Sequence, residues 1–177
     1  MIIQKCRSNA RTWRVYHSAL GPSKAARLDA NTIPDTSTTL YWNNTSPTAT
    51  VFSVGNGLDT NGSGYTNVAY LFASCPGVSK VGSYTGTGTT QQINCGFTAG
   101  ARFVLIKRTD STGDWYVYDS ARGIIAGNDP YLLLNSTAAE VTNTDYVDAY
   151  SAGFELSSTA PAALNANGGT YIYLAIA

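Results

Sequence analysis

Charged side chains are scarce in this sequence: Asp, Glu, Lys and Arg make up 12% of its 177 residues, about half the share in an ordinary soluble domain. The 11 acidic and 11 basic residues cancel, so no net field steers the chain toward nucleic acid or an anionic membrane. No apolar run approaches the roughly 18 residues of a membrane span, and no membrane insertion is expected. The opening Met1-Ile2-Ile3-Gln4-Lys5-Cys6-Arg7 has no apolar h-region of a signal peptide. Cys6, Cys75 and Cys95 show neither a CxxC pair nor metal-site spacing. They are expected to be buried free thiols, with one disulfide at most. No segment reads as an amphipathic helix, and Ser136 to Glu140 is the best place for a single helical turn.

What is plentiful is Tyr, Gly, Ser, Thr and Asn, a composition that suits an all-β protein working outside a cell or in a particle shell. One stretch occurs twice. A shift of 102 positions, from Trp13 to Trp115, also lays Val15 on Val117, Tyr16 on Tyr118, Ser18 on Ser120, Ala19 on Ala121 and Gly21 on Gly123. The same shift puts Ile2, Ile3 and Lys5 on Val104, Leu105 and Lys107. So many matches at one gapless offset indicate an internal duplication. Each copy reads as a hairpin: an apolar strand, a polar turn, then an alternating Trp-x-Val-Tyr strand.

Further along, Leu28-Asp29 falls on Leu134-Asn135 at an offset of 106. The four extra residues are expected in the loop Gly123 to Pro130, since surface loops absorb insertions at small entropic cost. Val51 to Val54 reads as a short strand matching Gly153 to Leu156. Tyr65 to Ala73 reads as an apolar strand whose Thr66, Val68 and Ala73 fall on Thr170, Ile172 and Ala177 at an offset of 104. The predicted organisation is a first β module over residues 1–73 and a second over 74–177. Within the second, 74–102 forms a leading hairpin (Val78 to Tyr84 and Gln91 to Phe97) and 103–177 the duplicated part. The fold class is all-β: internally duplicated antiparallel β-sandwich modules.

No residue set carries catalysis. The single histidine, His17, is replaced by Asp119 in copy two and has no visible orienting partner of the kind a nucleophile's base needs. Asp110, Asp114 and Asp119 surround Trp115, but they lack calcium-loop spacing, and Asp-Ser-Thr-Gly is a good turn sequence. No carboxylate pair is favoured for glycoside hydrolysis. Catalytic residues, cofactor and metal are all read as none. Trp13 and Trp115 are expected in equivalent core positions. Tyr41-Trp42, an aromatic pair in a polar loop without a counterpart in copy two, offers candidate surface-contact anchors.

The run Lys80-Val81-Gly82-Ser83-Tyr84-Thr85-Gly86-Thr87-Gly88, followed by Gly96-Phe97 and Phe103-Val104-Leu105-Ile106-Lys107-Arg108, resembles modules of tail-fibre and other virion structural proteins of tailed, marine-type bacteriophages. Trp115 to Arg122 and the ending Gly169-Thr170-Tyr171-Ile172-Tyr173-Leu174-Ala175 continue the resemblance. It implies a virion surface component built of β modules, with no catalytic residue carried over. The expected role is a tail-fibre or receptor-binding segment in host attachment. A capsid or tail decoration protein is the alternative, and a glycan depolymerase a third. Expected partners are other virion proteins, a host surface glycan or protein receptor, and further copies of the chain, as a trimer if it is a fibre.

Copy one has no leading hairpin ahead of Ile2. The strand around Ile2, Ile3 and Lys5 is therefore expected to be an open edge, to be covered at an assembly contact.

Overall fold

The computed structural model describes residues 1–177. Strand accounts for 36% of them and helix for 5%, so the protein is all-β, as its composition predicts. The chain divides into two compact units, Met1–Phe72 and Ala73–Ala177.

Unit 1 is built on one antiparallel sheet. β1 (Ile2–Cys6), β2 (Arg14–Tyr16), β3 (Lys24–Arg27), β4 (Asp35–Thr36) and β5 (Asn67–Leu71) lie in the order β4-β3-β2-β1-β5. Period-2 alternation sends Ile2, Tyr16, Ala25 and Ala69 to one face. There they meet Tyr41, Trp42 and Phe52. The covering layer over that face is the segment 37–66, which contains turns and the single-turn helix α1 (Leu58–Asn61) but no strand. Gln4 Nε2 donates to the Thr60 carbonyl at 2.6 Å and Thr60 Oγ1 to the Leu40 carbonyl at 3.0 Å, tying α1 to the sheet and to the loop.

Unit 2 is a two-layer sandwich. β6 (Ser79–Thr85), β8 (Phe103–Arg108), β9 (Trp115–Asp119), β10 (Leu132–Leu133) and β13 (Thr170–Ile176) form a sheet in the order β10-β9-β8-β13-β6. β7 (Gln91–Asn94), β11 (Val147–Tyr150) and β12 (Gly153–Leu156) form a second sheet in the order β11-β12-β7. Val104, Ile106, Tyr118, Tyr171 and Tyr173 of the first sheet pack with Ile93, Val147, Phe154 and Leu156 of the second. Tyr84 stacks on Tyr171 at 4.8 Å, and Phe154 meets Tyr173 edge-on at 5.3 Å. The helical turn α2 (Ala162–Asn165) anchors two of these rings: its Leu164 carbonyl accepts the Tyr84 hydroxyl and its Ala162 carbonyl accepts the Tyr171 hydroxyl, each at 2.7 Å.

The duplication is exact at the level of register. Ile2 pairs with Tyr16 and Leu71 as Val104 pairs with Tyr118 and Ala175. Lys5 opposes Val68 as Lys107 opposes Ile172. Val15 pairs with Ala26 as Val117 pairs with Leu132, so the shift from 102 to 106 falls between β9 and β10. α1 and α2 are equivalent at 104. The copies diverge where unit 2 has its second sheet.

Several expectations are corrected. Residues Ile2, Ile3 and Lys5 are no open edge, because β5 folds back onto β1 and pairs with it from Ile2 to Cys6. The open edge is the far side of β5. Tyr41 and Trp42 are buried, at 7% and 1% exposure, because the loop carrying them lies down on the sheet. β6 and β7 exist but do not pair as a hairpin: β6 joins β13 and β7 joins β12, so the chain crosses between layers at Gly86 to Thr90. Residues 51–54 form no strand, since unit 1 has no second sheet for them to join. Ser136 to Glu140 is not helical. Cys75 is exposed while Cys6 and Cys95 are buried, and all three are free thiols. Trp115 is buried as expected, but its equivalent Trp13 is half-exposed.

Candidate functional site

Around the half-exposed Trp13 the two copies share a framework and differ in the side chains that fill it. In both, a lysine in the first strand reaches across the hairpin turn. Lys107 Nζ donates to the Gly113 carbonyl at 2.6 Å, and Lys5 Nζ donates to the equivalent Arg11 carbonyl. In both, the tryptophan's peptide N–H is capped from the next loop. Trp115 N–H donates to Asn135 Oδ1 at 2.8 Å, and Trp13 N–H to Asp29 Oδ2 at 3.3 Å. The carbonyls of the two tryptophans accept from Leu134 and Leu28, at 3.0 and 3.1 Å. This framework is structural, and it explains why Lys and Trp recur at a fixed offset.

What fills the framework differs. In unit 2 three positions are small or uncharged, Gly113, Asn135 and Ala163, with Ala163 Cβ 3.9 Å from where a Cβ on Gly113 would stand. Asp114 stands there in place of Thr12, accepting from Asn135 Nδ2 at 2.7 Å. Lys107 is wholly buried there, and burial holds its ammonium down to about 8, against a smaller opposing pull from Asp114. In unit 1 the same three positions carry Arg11, Asp29 and Asp59. Together with Lys5, Ala10 and Thr12 they line an open pocket of about 330 Å³.

Two aromatic rings flank it. Lys5 Nζ lies 5.6 Å from the Trp13 ring centroid, and the Arg11 guanidinium lies 5.6 Å from the Tyr65 ring. Arg11 Nη2 also donates to the Tyr65 hydroxyl at 3.2 Å, and that bond raises the arginine's pKa further. Its Nε–H has no acceptor. Asp29 is exposed, whereas Asp59 is bound to Arg14 at 2.7 Å.

Arg14 holds the floor of the site in place. Its side chain is 6% exposed and bridges Asp59 and Asp35, with its guanidinium 4.3 Å from the centre of the Tyr41 ring. Burial would lift the Asp35 carboxyl, but hydrogen bonds from Arg14 and Arg27 outweigh it and bring the pKa below the usual carboxylate value. Trp42 Nε1 donates to the Lys24 carbonyl at 3.1 Å. Tyr41 and Trp42 therefore clamp the covering loop and present nothing to solvent.

The pocket offers carboxylate, guanidinium and ammonium groups beside aromatic faces. This combination matches a polyhydroxylated ligand, whose hydroxyls bond to charged groups while its C–H faces pack on rings. His17 stands elsewhere and has a turn role: its Nδ1 accepts the Ala19 N–H at 3.2 Å, as Asp119 Oδ1 accepts the Ala121 N–H at 3.0 Å in unit 2. Asp110 pairs with Arg108, which draws its carboxyl down to about 2. No three His, Cys, Asp or Glu side chains gather as a metal ion would need.

Sequence reasoning missed Arg11, Asp29, Asp59 and Tyr65. The signal was present in the alignment of the two copies, as charged residues in copy one opposite Gly113, Asn135 and Ala163.

The sequence family described as "Domain of unknown function (DUF7483)" matches residues 1–177. Neither the curated proteins nor the solved structures contain a match. No helix is long and apolar enough to cross a membrane.

Proposed function

The chain belongs to the DUF7483 family, and for this member we propose a structural and adhesive role in a bacteriophage virion, as a tail-fibre or receptor-binding segment that meets the host surface. The charge-poor, Ser/Thr/Asn-rich composition and the resemblance of its segments to tail-fibre modules support this reading. The observation that carries it is the contrast between the copies. One Lys–Trp framework carries Gly113, Asn135, Ala163 and a single carboxylate, Asp114, in unit 2, and Arg11, Asp29 and Asp59 around an open pocket in unit 1. Arg11, Asp29 and Asp59 around an open pocket are better suited to a ligand than to stability. The ligand class that fits is a host surface glycan.

Competition for adsorption tests the proposal. Purified protein added to host cells should slow attachment of the phage that encodes it. The double variant Arg11→Ala/Asp29→Asn removes both charges but keeps a side-chain oxygen for the Trp13 N–H, as Asn135 provides for Trp115. It should compete at least about tenfold less well while melting at nearly the same temperature. Failure of the wild-type protein to compete, with antibody labelling spread over the capsid shell, would replace attachment by the decoration role.

A further inference from the structure

β5 leaves one side of its backbone without a partner. Its phase against β1 is fixed by two bonds at its ends: Arg7 N–H donates to the Thr66 carbonyl at 2.7 Å, and Phe72 N–H to the Met1 carbonyl at 2.9 Å. In an antiparallel ladder the groups alternate in direction. Residues 66, 68, 70 and 72 therefore face β1, and the N–H and C=O groups of Asn67, Ala69 and Leu71 face outward. The internal repeat shows what this edge accepts. In unit 2 the equivalent residues are Tyr171, Tyr173 and Ala175 of β13, and their outward side is taken by β6 in an antiparallel register from Thr170↔Thr85 to Ile176↔Ser79. Nothing pairs with β5 in that place.

Native edge strands are ordinarily kept short, charged or bulged, to prevent pairing with other chains. The other edges of this protein follow that rule. β4 and β10 are two residues long, β6 carries Lys80, β11 carries Asp148, and β7 presents Gln and Asn. β5 reads Asn-Val-Ala-Tyr-Leu, with no charge and no proline, and exposes Tyr70 by 50% and Leu71 by 62%. No other edge strand displays a large exposed apolar side chain.

We propose that β5 is a strand-addition edge on which β5 of a second copy docks, antiparallel and about a two-fold axis, making one continuous sheet of the two five-stranded sheets. The outward groups are self-complementary. With the axis at Ala69, Ala69 meets its own copy and Asn67 meets the partner's Leu71, giving about six ladder hydrogen bonds. Val68 then stands opposite the partner's Tyr70, a β-branched and aromatic pair of the kind that stabilises neighbouring strands. No charge crosses the axis to oppose the contact. The interface shares no residue with the pocket lining and does not rest on the attachment role.

Sedimentation of the full chain over a range of concentrations tests this, together with hydrogen exchange resolved to single amides. Wild type should show a reversible monomer–dimer equilibrium. The amides of Asn67, Ala69 and Leu71 should be protected at high concentration and exchange freely on dilution. Leu71→Lys, which sets a charge on the edge, should weaken the dimer at least about tenfold without moving the melting temperature of the monomer. Should that variant misfold, the dilution series on the wild type still decides the matter. A wild-type monomer at every concentration overturns the proposal, as does a dimer in which those three amides exchange freely.

Discussion

Two buried aromatic side chains, one in each unit, carry a polar atom with opposite fates. Trp42 is 1% exposed and its indole N–H is bonded to the Lys24 carbonyl at 3.1 Å. Tyr118 is fully buried, yet its hydroxyl has no partner, and burial raises its pKa far above the ordinary value. A buried polar group costs about 1–3 kcal/mol when unsatisfied, while a satisfied bond contributes about 1 kcal/mol. Replacement by Phe should therefore act in opposite directions. Trp42→Phe loses the bond and opens a void, a loss of about 2–4 kcal/mol. Tyr118→Phe removes only an orphan hydroxyl, so stability should hold or rise by about 1 kcal/mol. Urea unfolding of both variants beside wild type measures the contrast, and a Tyr118→Phe protein destabilised as much as Trp42→Phe would show that its hydroxyl has a bonding role.

At the level of elements, the second sheet of unit 2 depends on one close approach. Gly153 opens β12, and a Cβ there would stand 2.0 Å from the Ile93 carbonyl and 3.0 Å from the Cys95 backbone nitrogen. Backbone cannot retreat from such a clash without parting β7 from β12. The equivalent residue in unit 1 is Val51, exposed and outside any strand. Gly153→Val should accordingly unzip β7 and cost at least the 1–3 kcal/mol typical of overpacking. Loss of protection at the β7 and β12 amides alone, with β8 and β13 unchanged, is the expected pattern. The same contrast explains what could be read from the sequence. Ile2, Val15 and Tyr16 have counterparts at one offset because they lie in paired strands, so the repeated hairpins β1–β2 and β8–β9 were legible. Pairing between distant strands was not. Nothing local in Val78 to Phe97 says that β6 joins β13 while β7 joins β12, and nothing in Tyr41-Trp42 says that its loop lies down on the sheet. Those outcomes depend on which buried face a segment meets. The pocket was hidden for a related reason: Arg11, Asp29 and Asp59 lie far apart in sequence, on the β1–β2 turn, just after β3 and in α1, and only the pairing of β2 with both β1 and β3 brings those segments together.

For the molecule as a whole, equal numbers of acids and bases leave stability against pH to the few groups with displaced pKa values. Asp110 is drawn down to about 2 by Arg108. Its contribution is present above pH 4 and lost as pH falls, but the pair is at the surface and small in effect. Asp129 is the opposite case. It is fully buried and its carboxylate accepts N–H bonds from Tyr146 at 2.9 Å and Val147 at 2.8 Å. Burial raises its pKa from 3.8 to about 6, those bonds opposing the rise and the charges of Asp148 and Asp145 adding to it. Between pH 4 and 6 the folded chain thus holds a proton that the unfolded chain has released. The resulting stabilisation is complete below pH 4 and is lost as pH climbs through 6. Each unit of displacement corresponds to about 1.4 kcal/mol, so the window spans on the order of 2–3 kcal/mol. Asp129→Asn cannot titrate, and comparing it with wild type cancels every other group. The stability of wild type relative to Asp129→Asn should therefore fall steadily from pH 4 to pH 6 and level off above pH 7, as read by urea unfolding in a pH series. A difference that stays flat, or that grows in favour of wild type as pH rises, would mean that the hydrogen bonds from Tyr146 and Val147 outweigh burial and that Asp129 is ionised throughout.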